Sequence, residues 1–248
     1  MDEDGGTGLP ASIEAAWGLR ERPSKGPRPG LSLERIVDAA IQVAVSDGLA
    51  AVSMSRVAAD LGVSTMSLYR YVAAKDELLM LMVDASYGPP PAVPEPGESW
   101  REGLAHWAWA EHDAHRRHPW ALRIPISGPP VTPNSLGWLE AGLRCLRDTG
   151  LTAGEKMSVI LLLTGFVRNE ATLAADIAAA MAAGPPDQEI GPAWGRLVAR
   201  LTDAQRFPEL QAVLASGTFE EPDDLDAEFV FGLERVLDGV EALVRART

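Results

Sequence analysis

The sequence predicts an all-α chain in which a small three-helix unit is joined to a larger helical domain. Three observations predict it. Apolar residues recur at spacings of three and four over most of the chain, no run alternates apolar and polar residues as a half-buried strand does, and Pro- and Gly-rich breaks separate the periodic segments.

The first thirty residues have no apolar period and include Gly5, Gly6, Pro10, Pro23, Pro27, Pro29 and Gly30, so residues 1–30 are expected to form a flexible arm. Ser32 follows Leu31 and precedes Ile36 by four, the arrangement of an N-cap with a hydrophobic staple. A helix is expected from there, with Leu33, Ile36, Val37, Ala40, Ile41 and Ala44 as its buried stripe and Asp47-Gly48 as its stop. Ser53 caps a second, short helix over Met54 to Leu61, which Gly62 ends, and Ser64 caps a third over Thr65 to Val72. Asp76 and Glu77 favour the start of a fourth, whose Leu78, Leu79, Leu81, Met82 and Val83 run toward Tyr87.

The stretch Gly88-Pro89-Pro90-Pro91, continuing through Pro94, Pro96 and Gly97, reads as a linker over residues 88–98. It divides a head, residues 31–87, from a body, residues 99–248, in which helices are expected near Ser99–His118, Asn134–Asp148, Ala153–Ala182, Pro192–Leu201 and Leu225–Arg245.

The charge is also unevenly spread along the chain. The 248 residues carry a formal net charge of -13, yet Trp17 to Lys75 holds eight basic residues (Arg20, Arg22, Lys25, Arg28, Arg35, Arg56, Arg70, Lys75) against five acidic ones, a local +3. Residues 86–248 carry 14 basic and 23 acidic side chains, a net of -9. A single cysteine, Cys145, excludes an intrachain disulfide framework and a cysteine-based zinc finger. The acidic N-terminus has no signal-peptide pattern, and the most apolar run, Val159 to Val167, is shorter than a membrane span, so a cytoplasmic location is expected.

Two short helices at the three-residue turn Gly62-Val63-Ser64, behind a longer supporting helix, outline a helix-turn-helix. Val57, Ala58, Leu61, Val63 and Leu68 are apolar where the two helices must meet. Leu68 and Val72, four apart, face inward while Met66 and Arg70 point outward, flanked by Thr65, Ser67, Tyr69 and Tyr71. That outer face suits DNA: hydroxyls for phosphates and base edges, Arg70 for a guanine edge or a phosphate, Met66 for a thymine methyl. A helical hairpin with an ordinary polar face fits the composition as well.

The run from Ser53 to Val72, followed by Lys75-Asp76-Glu77-Leu78, resembles the DNA-binding domain of the tetracycline-repressor (TetR) family, with the Val-Ala-x-x-Leu-Gly-Val-Ser core at Val57, Ala58 and Leu61 to Ser64, then Leu68, Tyr69 and Lys75. Arg117-His118-Pro119-Trp120 and Phe231-Gly232-Leu233-Glu234 resemble the tetracycline-repressor branch more loosely. The resemblance implies that Ser53 and Ser55 hold phosphates, that Thr65, Met66, Ser67, Arg70 and Tyr71 approach bases or backbone in the major groove, and that Tyr69 and Lys75 contact phosphates. Ser55 stands where the tetracycline repressor places a base-reading arginine, with Arg56 after it, so the operator is expected to differ from the tetracycline operator. Lys25 and Arg28, in Lys25-Gly26-Pro27-Arg28-Pro29-Gly30, resemble basic Gly/Pro segments that enter an A·T-rich minor groove, with a solvated tether as the alternative.

His106, His112, His115 and His118 with Glu111 and Asp113 invite a metal reading, but there is no His-Glu-x-x-His motif, and an ordinary polar helix face is favoured: no cofactor and no metal are expected. Nor is there a Gly-rich phosphate loop or a Gly-x-Ser-x-Gly elbow, so no catalytic residues are assigned. The resemblance implies an effector pocket in the body. Trp107, Trp138, Phe166 and Asn169 are candidates for it, suited to a small apolar or aromatic molecule, with core packing as the alternative. Phe229, Leu233, Val236, Leu237, Val240, Leu243 and Val244 make the last helix a candidate dimer element, together with the Pro192–Leu201 region. The expected function is a homodimeric, ligand-responsive regulator released from a palindromic operator by its effector; the alternative is a helical ligand-binding or catalytic protein with a vestigial head.

Overall fold

The computed structural model describes residues 7–19, 31–183, 190–220 and 226–247; Lys25 and Arg28 lie outside them. Among the described residues there are helices and turns but no β-strand. The helices are α1 (Ala11–Ala16), α2 (Leu33–Asp47), α3 (Met54–Asp60), α4 (Thr65–Tyr69), α5 (Lys75–Tyr87), α6 (Trp100–Arg117), α7 (Pro133–Cys145), α8 (Ala153–Ala183), α9 (Ile190–Leu201), α10 (Pro208–Ala215) and α11 (Ala227–Arg245).

The serines placed at helix starts by sequence act there. Ser32, Ser53 and Ser64 accept hydrogen bonds from the backbone N–H groups of Arg35, Arg56 and Ser67, each satisfying a donor that the first helical turn leaves without a partner. Gly48 and Gly62 end α2 and α3 at positive φ, a backbone conformation that side-chain-bearing residues resist. α6 begins with a full capping box, in which the Ser99 side chain accepts from Glu102 N–H while the Glu102 carboxylate accepts from Ser99 N–H at 2.8 Å.

Two apolar clusters organise the chain. The first joins Ile36, Val37, Ala40 and Val43 of α2 with Val57 and Ala58 of α3, Leu68 of α4 and Leu78, Leu81 and Met82 of α5. It is not closed by the head alone: Trp120, Ala121 and Ile124, from the 3-10 turn Pro119–Arg123 and just after it, complete it. The second joins Leu104, Trp107 and Ala108 of α6, Trp138 and Ala141 of α7, Ile160, Leu163 and Val167 of α8 and Phe229, Leu233 and Leu237 of α11. Arg101 on α6 fastens α11 by bonds to Asp238 at 2.8 Å and Glu234 at 2.5 Å.

Two sequence expectations change. The first thirty residues are not uniformly an arm, because α1 is helical and its Ile13 is fully buried in the head core. One apolar residue in a single turn gives no period to detect, and long-range packing supplies the order. α10 was also not foreseen. Both short helices begin without a side-chain N-cap bond, so the capping signature that marks α2 to α4 is missing.

Candidate functional site

α3 and α4 meet through Val57, Ala58 and Leu68, all buried, which leaves the opposite face of α4 outward. Met66 is 73% exposed, Tyr69 and Arg70 are exposed and Thr65 is partly so. This is an unusual use of a methionine and a tyrosine, since neither contributes to the core from there. Lys75 is exposed at the first position of α5, close in sequence to that face. Ser55 is exposed on the first turn of α3.

Other predicted contact residues already have structural duties. The Ser53 hydroxyl caps α3, and the Ser67 hydroxyl lies 2.9 Å from that of Ser64. Tyr71 donates its hydroxyl to the carbonyl of Leu31 at 3.1 Å, bracing the start of α2. Arg56 bonds Asp60 one helical turn on and pairs with Asp47 at 2.9 Å, so Asp60 and then Asp47 raise its pKa. It must exchange carboxylates for phosphates to reach DNA, at little cost because all three side chains are solvent-exposed.

The four predicted effector residues stand in different surroundings. Trp107 donates its indole N–H to Trp138 O, and Trp138 donates to Gly88 O, both at 3.0 Å. Their rings pack edge to face in the body core, so both polar edges serve the fold. Asn169 is exposed on α8. Phe166 is half-buried and stacks on Phe229, with ring centroids 5.5 Å apart.

A different set of side chains gathers between these aromatics. Glu111, His112 and His115 project from α6 into the interior and are all buried. Glu111 Oε2, His112 Nδ1, His115 Nε2, His118 Nδ1 and Trp120 Nε1 are buried polar atoms without a hydrogen-bond partner, although His115 Nε2 lies 4.0 Å from Glu111 Oε1. Five such atoms on ten consecutive residues is a heavy concentration, because buried polar groups are nearly always hydrogen-bonded. Tyr87 donates its hydroxyl to Glu111 Oε1 at 3.3 Å and packs edge-on to His115 and tilted against Trp138. His112 stacks on Phe229 with centroids 4.2 Å apart, and Trp109 closes the same wall. Thus Trp138 and Phe166 back the polar cluster through Tyr87 and Phe229, one layer behind it.

Burial sets the protonation of this cluster. Desolvation lifts the Glu111 carboxyl to about 7 against the opposing pull of Tyr87 and Arg168, and lifts the Tyr87 phenol as well. Desolvation pushes His115 down to about 4, helped by Arg168 and His112, and lowers His112 and His118 too. Neutral imidazoles beside a carboxyl that titrates near neutrality can present both donors and acceptors to a bound molecule. Among the described residues, no group of three or more His, Cys, Asp or Glu side chains is placed to hold a metal ion. The sequence signal for this cluster was the 111–118 histidine run itself, which a surface-helix reading set aside.

An apolar face on α8 and α11 forms a third feature. Leu161 and Leu162 of α8 and Val230 and Phe231 of α11 are exposed, and a groove of about 600 Å³ runs between the helices, lined by Val159, Leu162, Val236, Gly239, Val240 and Leu243 among others. α9 packs chiefly on α10 and the turn Thr218–Glu220. α8, which sequence reading had not assigned to an interface, therefore joins α11 in the exposed apolar face.

Comparison with known proteins adds to this geometry. Residues 36–81 match the model of bacterial regulatory proteins of the tetR family, and residues 93–244 match the tetracyclin repressor-like C-terminal domain. The chain is 39% identical, over 99% of its length and 90% of the relative's, to the HTH-type transcriptional repressor DrrR1 of Streptomyces coeruleorubidus. It is 28% identical to the tetracycline repressor protein class E of Escherichia coli, over 55% of this chain and 65% of that one. Among solved structures it is similar to ActR, a TetR family protein of Streptomyces coelicolor, in complex with (S)-DNPA: the TM-score is 0.72 at 28% identity, covering 86% of this chain and 98% of that one. The same protein in complex with actinorhodin gives a TM-score of 0.70 at 28% identity, covering 87% and 97%.

Proposed function

Because the chain belongs to the tetracycline-repressor family and is a ligand-responsive, DNA-binding transcriptional repressor, we propose that it works as a homodimer that reads an inverted-repeat operator with the outer face of α4. The observation that supports this reading is the exposed set Met66, Tyr69 and Arg70, with Lys75 just beyond it, on a helix whose other face is fixed by Leu68. Ser55, Thr65 and Ser67 add hydroxyls, Arg56 adds a charge once its carboxylates are exchanged, and Ser53 and Tyr71 position the helices that carry them. The apolar face of α8 and α11 supplies the two-fold contact that sets the spacing of the two reading heads. A cytoplasmic site of action follows from DNA binding, and no reaction is required of any residue.

The effector seats against Glu111, His112, His115, His118 and Trp120, whose unpartnered polar atoms it satisfies while its apolar part lies on the Phe229 and Trp109 wall. A hydroxylated aromatic molecule fits that combination. That ActR has been solved in complex with actinorhodin and with (S)-DNPA supports a small-molecule effector for this chain. Binding shifts the population toward a conformation whose heads no longer match the operator.

The test is selection of bound fragments from a random duplex pool by the purified full-length protein at about 0.15 M salt, where screening is physiological. Enrichment of an inverted repeat with half-sites about one helical turn apart or slightly more is expected. Recovery of unrelated fragments at every round would leave the chain a ligand-binding protein with a vestigial head.

A further inference from the structure

The six-residue α1 lies where head and body meet, and it touches both. Ile13 is fully buried in the head core, with Leu9 and Ala16 packed beside it. Ser12, itself buried, donates its hydroxyl to Glu77 Oε2 on α5 at 2.6 Å, and the same carboxylate oxygen accepts the N–H of Ala73 in the turn that follows α4. On the other side, Trp17 donates its indole N–H to the carbonyl of Val131 at 2.8 Å, a contact between residues 114 positions apart. Val131 belongs to the segment that leaves the turn Pro119–Arg123, and Trp120, Ala121 and Ile124 of that stretch share the head core with Ile13. A helix this short is not stable in isolation, so its order derives from these anchors.

We propose that α1 is an interdomain strap: it clamps the head, through Ile13 and Glu77, to segment 119–131 of the body, through Trp17, and so fixes the position in which the reading helix is held. The fastening stands on contacts alone; its use in regulation rests on the repressor reading above. Other links join head and body as well: the apolar plug of Trp120, Ala121 and Ile124, the Asp84 carboxylate of α5 that accepts from Ser135 N–H on α7 at 2.9 Å, the Asp84 carbonyl that accepts from Asn134 Nδ2 at 3.1 Å, and the Tyr87 hydroxyl that donates to Glu111. Of these, only the plug holds segment 119–131 itself. The plug is non-directional and tolerates sliding, whereas hydrogen bonds of fixed geometry at both ends of a short helix do not.

The experiment is hydrogen-exchange mass spectrometry on the full-length chain and on the double variant Ser12→Ala/Trp17→Phe, which keeps Ile13 and an aromatic ring but removes both hydrogen bonds. In the absence of DNA, exchange is expected to quicken at least threefold both in 119–135 and at the start of α5, with α8 and α11 unchanged. Faster exchange in only one of the two regions, or in neither, would overturn the strap. With the operator duplex obtained by fragment selection, the wild type is expected to gain protection over α3 and α4 and also over 119–135; the variant should keep the first and lose at least half of the second. Equal transmitted protection in both proteins would likewise overturn the proposal. No protection over α3 and α4 in the wild type would strike instead at the repressor reading, leaving the DNA-free comparison to decide the strap.

Discussion

Arg70 and Lys75 are both exposed cations at the reading face, yet their positions assign them different work. Arg70 follows α4 directly, where a planar five-donor fork can meet a base edge, while Lys75 opens α5 as a point charge suited to a phosphate. Arg70→Ala is expected to cost about 1–3 kcal/mol on operator DNA and much less on scrambled DNA. Lys75→Ala should weaken both alike and lower the salt slope of log Kd by about 1. Titration of both duplexes over a salt series separates the two, and equal losses on both DNAs for Arg70→Ala would remove it from base reading.

The buried cluster carries a pH signature at the same scale. Glu111, raised to about 7 from its ordinary 4.5, binds a proton in the folded chain that the unfolded chain has released; the stability this brings is full below 4.5 and is lost as pH rises through 7. His115, lowered to about 4 from 6.5, contributes the other way: its stability is full above 6.5 and is lost as pH falls through 4. Between pH 4.5 and 6.5 the two slopes oppose, each of about 1 kcal/mol per pH unit. Glu111→Gln removes the first and leaves the second, with His112 and His118 displaced in the same direction as His115. The variant's melting temperature is therefore expected to fall more steeply than the wild type's on acidification from pH 6.5 to 4.5. Parallel melting curves for the two proteins would show that Glu111 does not hold its proton there.

At the scale of the element, the head was legible because α2, α3 and α4 each start with a serine that caps its own first turn, and α2 and α3 stop at a glycine. The apolar stripe of α2 agrees with its cap, so local and long-range signals point the same way. The body was legible in its long helices and illegible in its site. A tryptophan with its N–H already bonded and one that lines a cavity look alike in sequence, and Trp107 and Trp138 are of the first kind. The 111–118 histidines were readable as a group, but only the packing of α6 against Phe229 and Tyr87 shows that they face inward.

The proposed dimer face belongs to this scale as well. Leu162 lines the groove between α8 and α11 and is half-exposed, so a partner that covers it removes apolar area from water worth about 1–2 kcal/mol per subunit. Leu162→Glu places a charge there, and a monomer is expected by light scattering, with helical content retained and operator affinity reduced at least tenfold. An unchanged mass would move the two-fold contact to another surface. Gly142 checks the body packing separately. A Cβ at that position would lie 2.7 Å from the Ile160 side chain and 3.3 Å from the Trp107 ring, so Gly142→Ala is expected to destabilise by about 1–3 kcal/mol in chemical unfolding.

For the whole molecule, a chain of net charge -13 meets DNA because Trp17 to Lys75, which carries the reading helix, is locally positive by three, while residues 86–248 of the body side carry a net of -9. The two parts must then be held at a defined angle, since two heads of a dimer have to reach successive grooves together. The structure concentrates that task on segment 119–131. Its Trp120 and Ile124 are buried in the head core, while the Leu122 and Ile124 carbonyls accept bonds of 2.8 and 3.0 Å from Arg168 on α8. Arg168 also stands beside the buried cluster, lowering the pKa of both Glu111 and His115 through its charge. One side chain of α8 thus bonds the segment that plugs the head and acts electrostatically on the buried cluster proposed to seat the effector. Arg168→Leu removes both bonds and leaves two carbonyls unsatisfied, which is expected to cost about 2 kcal/mol of stability. Its more informative consequence is geometric. Against inverted repeats whose half-sites are moved apart one base pair at a time, the wild type should prefer a single spacing sharply, and Arg168→Leu should flatten that preference while retaining affinity for an isolated half-site. Arg168→Lys, which keeps the charge but not the planar fork, should recover stability more than spacing preference. A variant that melts earlier yet keeps the sharp preference would show that the head takes its angle from the apolar plug and the strap, with Arg168 contributing stability alone.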